Sequence, residues 1–384
     1  MLMIAMRMLM GDKARYVGLV IGVTFAALLM TQQAAIFLGL TTRTYSFVTD
    51  TPGPDLWIMD PEVEHVADSK PMLQTQLYRI RGVEGVEWAV PMYRAFAKLR
   101  LPNGKTRSCI ITGLDDATLF GAPREIVEGS VEQLRQPDSI LIDAAQSGTR
   151  LVWAGADGVE RALGVGDSIE LNDRRAKVVG TYRISPSFFW EPTIYTTFTR
   201  ALTFMPQERR TLTFILVKLK AGADAKDVAA GIRASTGMSA HRPEEFKRLT
   251  AEYILTKTGI LVNFGLAVGL GFLIGMLVTG QTFYHFTLDN LRHFAALKAM
   301  GASSSVLVGM IVAQALLVGL IGYGLGVGGA AAMGGVLDAG GLAFHLPWSL
   351  LVFTGVAVLG VSVCASLLSI RRVLVVDPAS VFKS

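Results

Sequence analysis

The sequence predicts a membrane protein with four transmembrane α-helices and a large extracytoplasmic α+β domain inserted between helices 1 and 2. Hydrophobic residues make up 51% of the 384 residues, and charged residues only 17%. Two uncharged runs, 17–40 and 258–282, are each long enough to cross about 30 Å of hydrocarbon. The segment between them, 41–257, is more than half of the chain and provides the inserted domain.

The C-terminal part of the chain predicts two further spans, at 306–333 and 350–370. No residue from 299 to 337 carries a formal charge, and after Asp338 the next charged residue is Arg371. A single Arg or Lys at the centre of a membrane helix costs roughly 2.5 to 3.5 kcal/mol on insertion scales. Uncharged runs of this length therefore indicate helices that lie in a bilayer.

The distribution of charge predicts the orientation of the chain. Three short segments, 1–16, 283–303 and 371–384, hold all of the net charge of +5, and the remainder is balanced. Because basic loops stay inside, both termini are predicted to be cytoplasmic, in the inner membrane of a bacterium. The first segment is expected to be an interfacial helix, the second a coupling helix and the third a cytoplasmic tail. Since this rule explains the basic balance, a nucleic-acid partner is not expected.

Inside the inserted domain, turn signals and short apolar runs predict strands and two helices. Asn103-Gly104 predicts a hairpin between 96–101 and 107–112, because this dipeptide favours the tight turn that joins antiparallel strands. Helices are expected at 70–81 and 223–234. Further strands are predicted at 55–59, 86–92, 139–142, 168–171, 177–182, 213–219 and 238–241.

The end of the inserted domain predicts a helical stalk at 243–257. From Pro243 the chain gains helix formers and reaches the second span without another proline, so one continuous helix is expected across the boundary. Phe246, Leu249 and Tyr253 form its apolar stripe. The alternative interpretation is that these three residues are core contacts of the inserted domain.

Residues 290–303, NLRHFAALKAMGAS, lie between two predicted spans and predict a short helix outside the bilayer. Phe294, Leu297 and Met300 recur at helical spacing. Lys298 falls in the last turn, and Gly301 stands where a helix would end. We interpret the segment as a lever on which a soluble partner acts, with Phe294, Leu297 and Lys298 as the docking face.

Two stretches carry a resemblance to a known family, AALKAMGAS at 295–303 and the ending Arg371-Arg372 with Asp377-Pro378-Ala379. Together with the order of one span, a large outer domain and three spans, they resemble the mechanotransmission permeases of the MacB, LolC/LolE and FtsX superfamily of ABC systems. The amino-acid sequences of residues 12–37 and 280–303 are most similar to the DevC-type branch. The family commonly has a glutamate where this chain has His293.

The resemblance implies a non-enzymatic permease subunit of an exporter or extraction system for an amphiphilic substrate. It implies a partner ATPase dimer that binds ATP and Mg²⁺, a second copy of the chain in a homodimer, and a periplasmic membrane-fusion (adaptor) protein, with no cofactor in this chain. The alternative is an FtsX-like transducer that activates an extracytoplasmic partner without transport. The ATPase-coupling residues carried over are Leu291, His293, Phe294, Leu297, Lys298, Met300 and Gly301, and the tail contacts are Arg371, Arg372, Asp377 and Pro378.

Polar and small residues within the predicted spans indicate helix interfaces. Amide side chains are costly against lipid, and each interhelical hydrogen bond contributes only about 0.6 to 2 kcal/mol, which suits packing and register. Glycines four residues apart allow two helices to approach closely. The interface residues predicted in this way are Gln32, Asn263, Gln314, Gly322 and Gly326.

Motifs for catalysis and metal binding are weak. The five histidines show no pair at metal-ligand spacing. Gly104-Lys105-Thr106 is not a P-loop, because Leu99 stands where that motif needs its first glycine. Five methionines among the first ten residues fit an interfacial helix better than a soft-metal site, since cations flank them. These observations disfavour a membrane enzyme or a receptor.

Overall fold

The computed structural model describes residues 2–155, 157–188, 190–339 and 341–374, with the backbone alone for 2, 338–339, 368–369 and 371–374. The chain forms two compact units. We call residues 1–40 and 259–384 the helical unit, and residues 41–258 the inserted domain.

The helical unit is built from long apolar helices and two short ones, numbered in chain order. Their bounds are α1 Leu2–Gly11, α2 Lys13–Thr44, α9 Ile260–Asp289, α10 Leu291–Ala299, α11 Ser304–Ala339 and α12 Trp348–Leu374. By length and composition, α2, α9, α11 and α12 can each cross a membrane. The predicted architecture of four spans, with an α+β domain between the first and the second, is confirmed.

Helices α2 and α11 approach closely because glycines lie at their contact. A Cβ atom added at Gly322 would lie 2.6 Å from the Val23 Cγ1 atom, and one added at Gly326 would lie 2.5 Å from the Ala27 Cβ atom. Real Cβ atoms do not come this close to other heavy atoms. The structure thus places both glycines of this small-residue motif against α2.

The inserted domain is a mixed α+β structure. Its helices are α3 Ser46–Asp50, α4 Thr75–Arg81, α5 Ala144–Ser147, α6 Phe198–Phe204, α7 Ala225–Thr236 and α8 Pro243–Lys257. Its strands are β1 Leu56–Met59, β2 Val86–Arg100, β3 Thr106–Leu114, β4 Glu125–Glu128, β5 Ser139–Asp143, β6 Val152–Ala154, β7 Glu160–Ala162, β8 Ser168–Leu171, β9 Arg174–Arg183, β10 Thr193–Thr197, β11 Phe214–Leu219 and β12 Ser239–His241.

Six strands of the inserted domain close into a barrel. The pairing runs from β2 through β3, β10, β5 and β9 to β8, and β8 pairs with β2 again. The strand β2 is long enough to belong both to the barrel and to a second, antiparallel sheet. Its first half joins an antiparallel sheet in the order β12-β1-β11-β2, on which α4 and α7 pack with Ile80 and Ile232 fully buried.

The hairpin expected from Asn103-Gly104 joins β2 and β3. Phe96 pairs with Ile110, and Arg100 pairs with Thr106. Gly104 has a φ of +80°, which a residue without a Cβ atom adopts at little cost. The structure contains the predicted hairpin, whereas the pattern in the sequence did not specify its register.

Three helices differ from the expectation. The continuous helix expected across 243–282 is wrong, because α8 ends at Lys257 and Gly259 has a φ of +70° before α9 begins. The helix expected at 70–81 begins only at Thr75, since Met72 forms a β-bridge with Leu212. The coupling helix expected at 283–303 is interrupted at Asn290, whose side-chain nitrogen Nδ2 donates to the Phe286 carbonyl oxygen at 2.9 Å.

Candidate coupling site

The short helix α10 connects α9 to α11 and has a defined stop at each end. At its start, the Asn290 side chain donates to the Phe286 carbonyl oxygen, one of the last four carbonyls of the preceding helix. At its end, Gly301 has a φ of +94°, and the Ala302 amide donates to the Leu297 carbonyl oxygen at 3.0 Å. This is the arrangement of a glycine C-cap, which the position of Gly301 in the sequence predicted.

One face of α10 is packed into the helical unit. Phe294 is fully buried, Ala295 is almost so, and Leu297 is 8% exposed. Phe294 and Leu297 form one apolar cluster with residues of α1, α11 and α12, namely Ala5, Leu307, Met310, Ile311 and Ile370. We call these residues, with Phe294 and Leu297, the coupling cluster. It fixes the orientation of α10 relative to the helices on either side of it.

The opposite face of α10 is exposed. Met300 is 76% exposed, and Arg292 and His293 are also exposed. This corrects the predicted docking face, because Phe294 and Leu297 contact the interior of the helical unit. Spacing in the sequence showed that one side of the helix is apolar, but a side of this kind packs against whichever apolar surface is nearest. Leu291 and Lys298 are partly buried at the border between the two faces.

Helix α1 covers the coupling cluster. Its Ala5 and Leu9 are fully buried, whereas Met3 and Met10 are exposed. The Gln314 side-chain nitrogen Nε2 donates to the Ala5 carbonyl oxygen at 2.7 Å, so the predicted interface residue Gln314 of α11 binds the backbone of α1. The expected interfacial helix therefore packs on protein along one side and is exposed along the other.

Two ion pairs hold the same end of the helical unit. The Arg15 guanidinium contacts the Asp12 carboxylate at 3.1 Å and pairs with the Asp289 carboxylate. Asp12 also accepts from the Arg15 amide at 3.2 Å, which caps the start of α2. Asp289 is the last residue of α9, so these contacts join the beginning of the first span to the end of the second. Both partners are about 40% exposed or more, and exposed pairs of this kind contribute up to about 1 kcal/mol.

The remaining residues predicted from the sequence are two interface residues and the contacts of the C-terminal tail. Gln32 is partly buried, whereas Asn263 is exposed near the start of α9, so its place at a helix interface stays a prediction. The side chains of Arg371 and Arg372, and all of Asp377 and Pro378, lie outside the described residues.

Two of the three predicted stalk residues, Phe246 and Leu249, contact the core of the inserted domain. Phe246 is fully buried, and its ring centroid lies 5.7 Å from that of Trp57 in β1. Leu249 packs against the same cluster, and Tyr253 stacks on His65 with a centroid distance of 4.5 Å. The alternative interpretation, core contacts of the inserted domain, describes Phe246 and Leu249, whereas Tyr253 is partly buried against His65 outside the core cluster. Phe47, directly after the first span, also contacts Trp57, at 5.7 Å, which the sequence did not reveal.

The inserted domain also buries charge. Arg94 is 6% exposed, and its guanidinium lies 3.7 Å from the centroid of the Phe47 ring and donates to the Thr112 hydroxyl at 3.1 Å. Burial lowers the pKa of Arg94 to about 10, and burial raises the pKa of Asp143 to about 6. Among the described residues, no group of three or more His, Cys, Asp or Glu side chains is arranged to hold a metal ion.

Two family descriptions match this chain. The MacB-like periplasmic core domain matches residues 17–235, more than half of the chain, and the FtsX-like permease C-terminal domain matches residues 265–378. Two uncharacterized ABC transporter permeases of Mycobacterium tuberculosis, from strains CDC 1551 and H37Rv, are each 28% identical over 229 residues, which is 57% of this chain. The aligned region spans 58% of the length of these relatives.

Solved structures with a similar region are more distant. The periplasmic region of MacB from Actinobacillus actinomycetemcomitans is 11% identical, with 52% of this chain and 94% of that chain covered and a TM-score of 0.37. The extracellular domain of the noncanonic ABC-type transporter YknZ from Gram-positive bacteria is 12% identical, with 49% and 99% covered and a TM-score of 0.34.

Proposed function

We propose that this chain, which belongs to the MacB/FtsX family of ABC transporter permeases, couples ATP hydrolysis by a separate ATPase to export or extraction of an amphiphilic substrate. The observation that carries the proposal is the two-sided character of α10. One face is fixed in the coupling cluster, and the other presents Arg292, His293 and Met300 to solvent. A helix held in this way transmits force, because it does not rotate under load without breaking its buried contacts.

The partner that fits this surface is a soluble ATPase dimer that binds ATP and Mg²⁺. Met300 offers a flexible, polarizable side chain that adapts to an apolar pocket, and such residues are frequent at docking surfaces. Arg292 adds a cation that favours an acidic rim on the partner. Movement of the partner would displace α10, and the coupling cluster would pass the displacement to α1, α11 and α12.

We further propose that the chain acts as a homodimer through α9. Large apolar side chains of this helix are exposed along its length, including Leu266, Leu270 and Leu277. Gly265 and Gly269 lie four residues apart, and a Cβ atom added at either one would meet nothing within 4 Å. A second copy of α9 approaching at these glycines would bury a surface that the single chain leaves open.

The orientation and the remaining partners follow from the resemblance and the charge distribution. Residues 1–16, 283–303 and 371–384 would face the cytoplasm at the bacterial inner membrane, and the inserted domain would lie in the periplasm. There it would meet an adaptor protein and an amphiphilic substrate.

Purification of the chain from its native membranes, followed by mass spectrometry and an ATPase assay, tests the proposal. A stoichiometric ATPase is expected with the wild-type chain, and a weaker association with Met300→Asp. The matched control is Met10→Asp, which changes an exposed methionine of α1. Recovery of no ATPase would overturn the proposal. Recovery of an ATPase with an extracytoplasmic hydrolase, and no loss of export when the gene is deleted, would favour a signal transducer.

A further inference from the structure

A trough runs along the inserted domain where β2 passes from the sheet into the barrel. The pairing of β2 with β11 ends at Met92, opposite Phe214, and its pairing with β8 begins at Leu99, opposite Leu171. Residues 93–98 of β2 have no strand beside them on this edge. The trough lies along this gap and extends over residues 106–108 of β3.

Two adjoining cavities make up the trough. Their volumes are about 410 and 270 Å³, and both are walled by Phe96 and Arg209. The Tyr93 hydroxyl donates to the Arg209 carbonyl oxygen at 2.9 Å, which holds one wall to β2. Together the cavities reach the size range of small-molecule sites.

Positive charge dominates the trough. Lys98 and Arg107 line the larger cavity, and Arg209 lines both. None of these three side chains makes an ion pair with another residue in the described part of the chain, and Glu208 is the single carboxylate along the walls. Three cations with one carboxylate among them leave an excess of positive charge that favours an anion, and the planar guanidinium matches a carboxylate or a phosphate.

The trough also offers apolar surface. Phe96 is 41% exposed although it lies in the middle of a strand, between the two cavities. Pro71 and Ala95 line the smaller cavity beside it. A ligand that covered Phe96 would remove apolar area from water, while its charge met the cations of the larger cavity.

An added peptide strand does not fit this gap. The Arg94 amide donates to the Thr213 hydroxyl at 2.8 Å, and the Lys98 amide donates to the Asn172 side-chain oxygen at 3.0 Å. The Lys98 carbonyl oxygen accepts from the Asn172 amide at 2.8 Å. Because these backbone groups already have hydrogen-bond partners within the chain, a partner strand could not form a ladder here.

We propose that the trough binds a small anionic amphiphile. Its carboxylate or phosphate headgroup lies among Lys98, Arg107 and Arg209, and its apolar portion lies on Phe96. The trough is separate from the coupling site, and binding of the amphiphile there needs neither nucleotide nor an ATPase. A test of this binding therefore does not depend on the proposed coupling function.

The test uses the full chain in nanodiscs of zwitterionic lipid, with 4-(trifluoromethyl)phenylalanine in place of Phe96 as a ¹⁹F NMR probe. Dodecyl phosphate is expected to shift the resonance in a saturable way, whereas dodecyltrimethylammonium is not. Arg107→Gln and Lys98→Gln should each weaken binding at least threefold, and the triple change with Arg209→Gln at least thirtyfold. Lys105→Gln, at the exposed hairpin turn outside both cavities, is the matched control and should bind as the wild-type chain does.

Several results would overturn the proposal. A shift that rises linearly without saturation would indicate partition into the bilayer. A binding curve that is unchanged in Arg107→Gln, a surface change that the fold tolerates, would show that the cations do not bind the ligand. An equal effect of inorganic phosphate at the same concentration would reduce the site to one for a bare anion. A shift produced by phosphatidylglycerol nanodiscs without added ligand would support the proposal and assign the headgroup to a lipid, whereas a shift only with dodecyl phosphate would assign it to a dispersed amphiphile.

Discussion

The two faces of α10 make opposite predictions for two substitutions six residues apart, Phe294→Ala and Met300→Ala. Phe294 is fully buried in the coupling cluster, so its truncation removes a ring and leaves a cavity. Such changes cost about 3 to 5 kcal/mol in free energy of unfolding. Met300 is 76% exposed, and truncation of an exposed side chain changes stability by less than about 0.5 kcal/mol.

Binding of the partner ATPase should show the reverse dependence. If the partner buries Met300, its removal should cost about 1 to 2 kcal/mol of binding free energy, which is roughly a 5- to 30-fold increase in Kd. Phe294→Ala, at a temperature where it is still folded, should bind within about threefold of the wild-type chain, because the side chain that it removes faces inward.

Thermal unfolding of the full chain in detergent, followed by circular dichroism at 222 nm, measures the first effect. Titration with the purified ATPase measures the second. A Phe294→Ala variant as stable as the wild-type chain but unable to bind the ATPase would refute the assigned orientation of α10, as would a Met300→Ala variant that unfolds early.

Three further predictions concern the rest of the chain. Gly326→Ala should lower the thermal unfolding temperature, since overpacking costs about 1 to 3 kcal/mol, whereas Gly328→Ala, with open space at its Cβ, should not; equal effects would contradict the contact with α2. Phe246→Ala should destabilise the inserted domain by about 3 to 5 kcal/mol in urea unfolding followed by tryptophan fluorescence, and a change below about 1 kcal/mol would exclude a core role. Because burial raises the pKa of Asp143 from 3.8 to about 6, the native state holds the proton more tightly, so the free energy of unfolding should fall as pH rises from about 4 to about 6 and level off above that. Asp143→Asn keeps an acceptor for the Ala145 amide and should remove this fall, which amounts to roughly 2 to 3 kcal/mol; an unchanged pH profile would show that Asp143 is not its cause.

Local signals in the sequence predicted the parts of the fold that depend on neighbouring residues. The four spans follow from uncharged length, and the β2–β3 hairpin follows from Asn103-Gly104, whose φ preference is a property of two residues. The barrel was not predicted, because its closure depends on pairing of β8 with residues of β2 about 70 positions earlier in the chain.

The sequence predicted the short helix of the candidate coupling site, but not which of its faces is buried within the chain. Regular spacing of Phe294 and Leu297 shows that they share one side of a helix, and this spacing is the same whether a partner or the chain itself covers that side. The break at Gly259 was also missed, since a glycine within an apolar run is compatible with a membrane helix, and only its positive φ reveals the end of α8.

The hydrogen bond from Gln314 to Ala5 has a consequence for the timing of biosynthesis. The two residues are 309 positions apart, and at about 5 to 20 residues per second a ribosome needs roughly 15 to 60 s to make the chain between them. During that interval Ala5 and Leu9 of α1 have no α11 to cover them, and Ile370 is added later still. The coupling cluster, which supports the proposed ATPase-binding face of α10, is therefore assembled at the end of synthesis, and a nascent or truncated chain without its last helix cannot complete it.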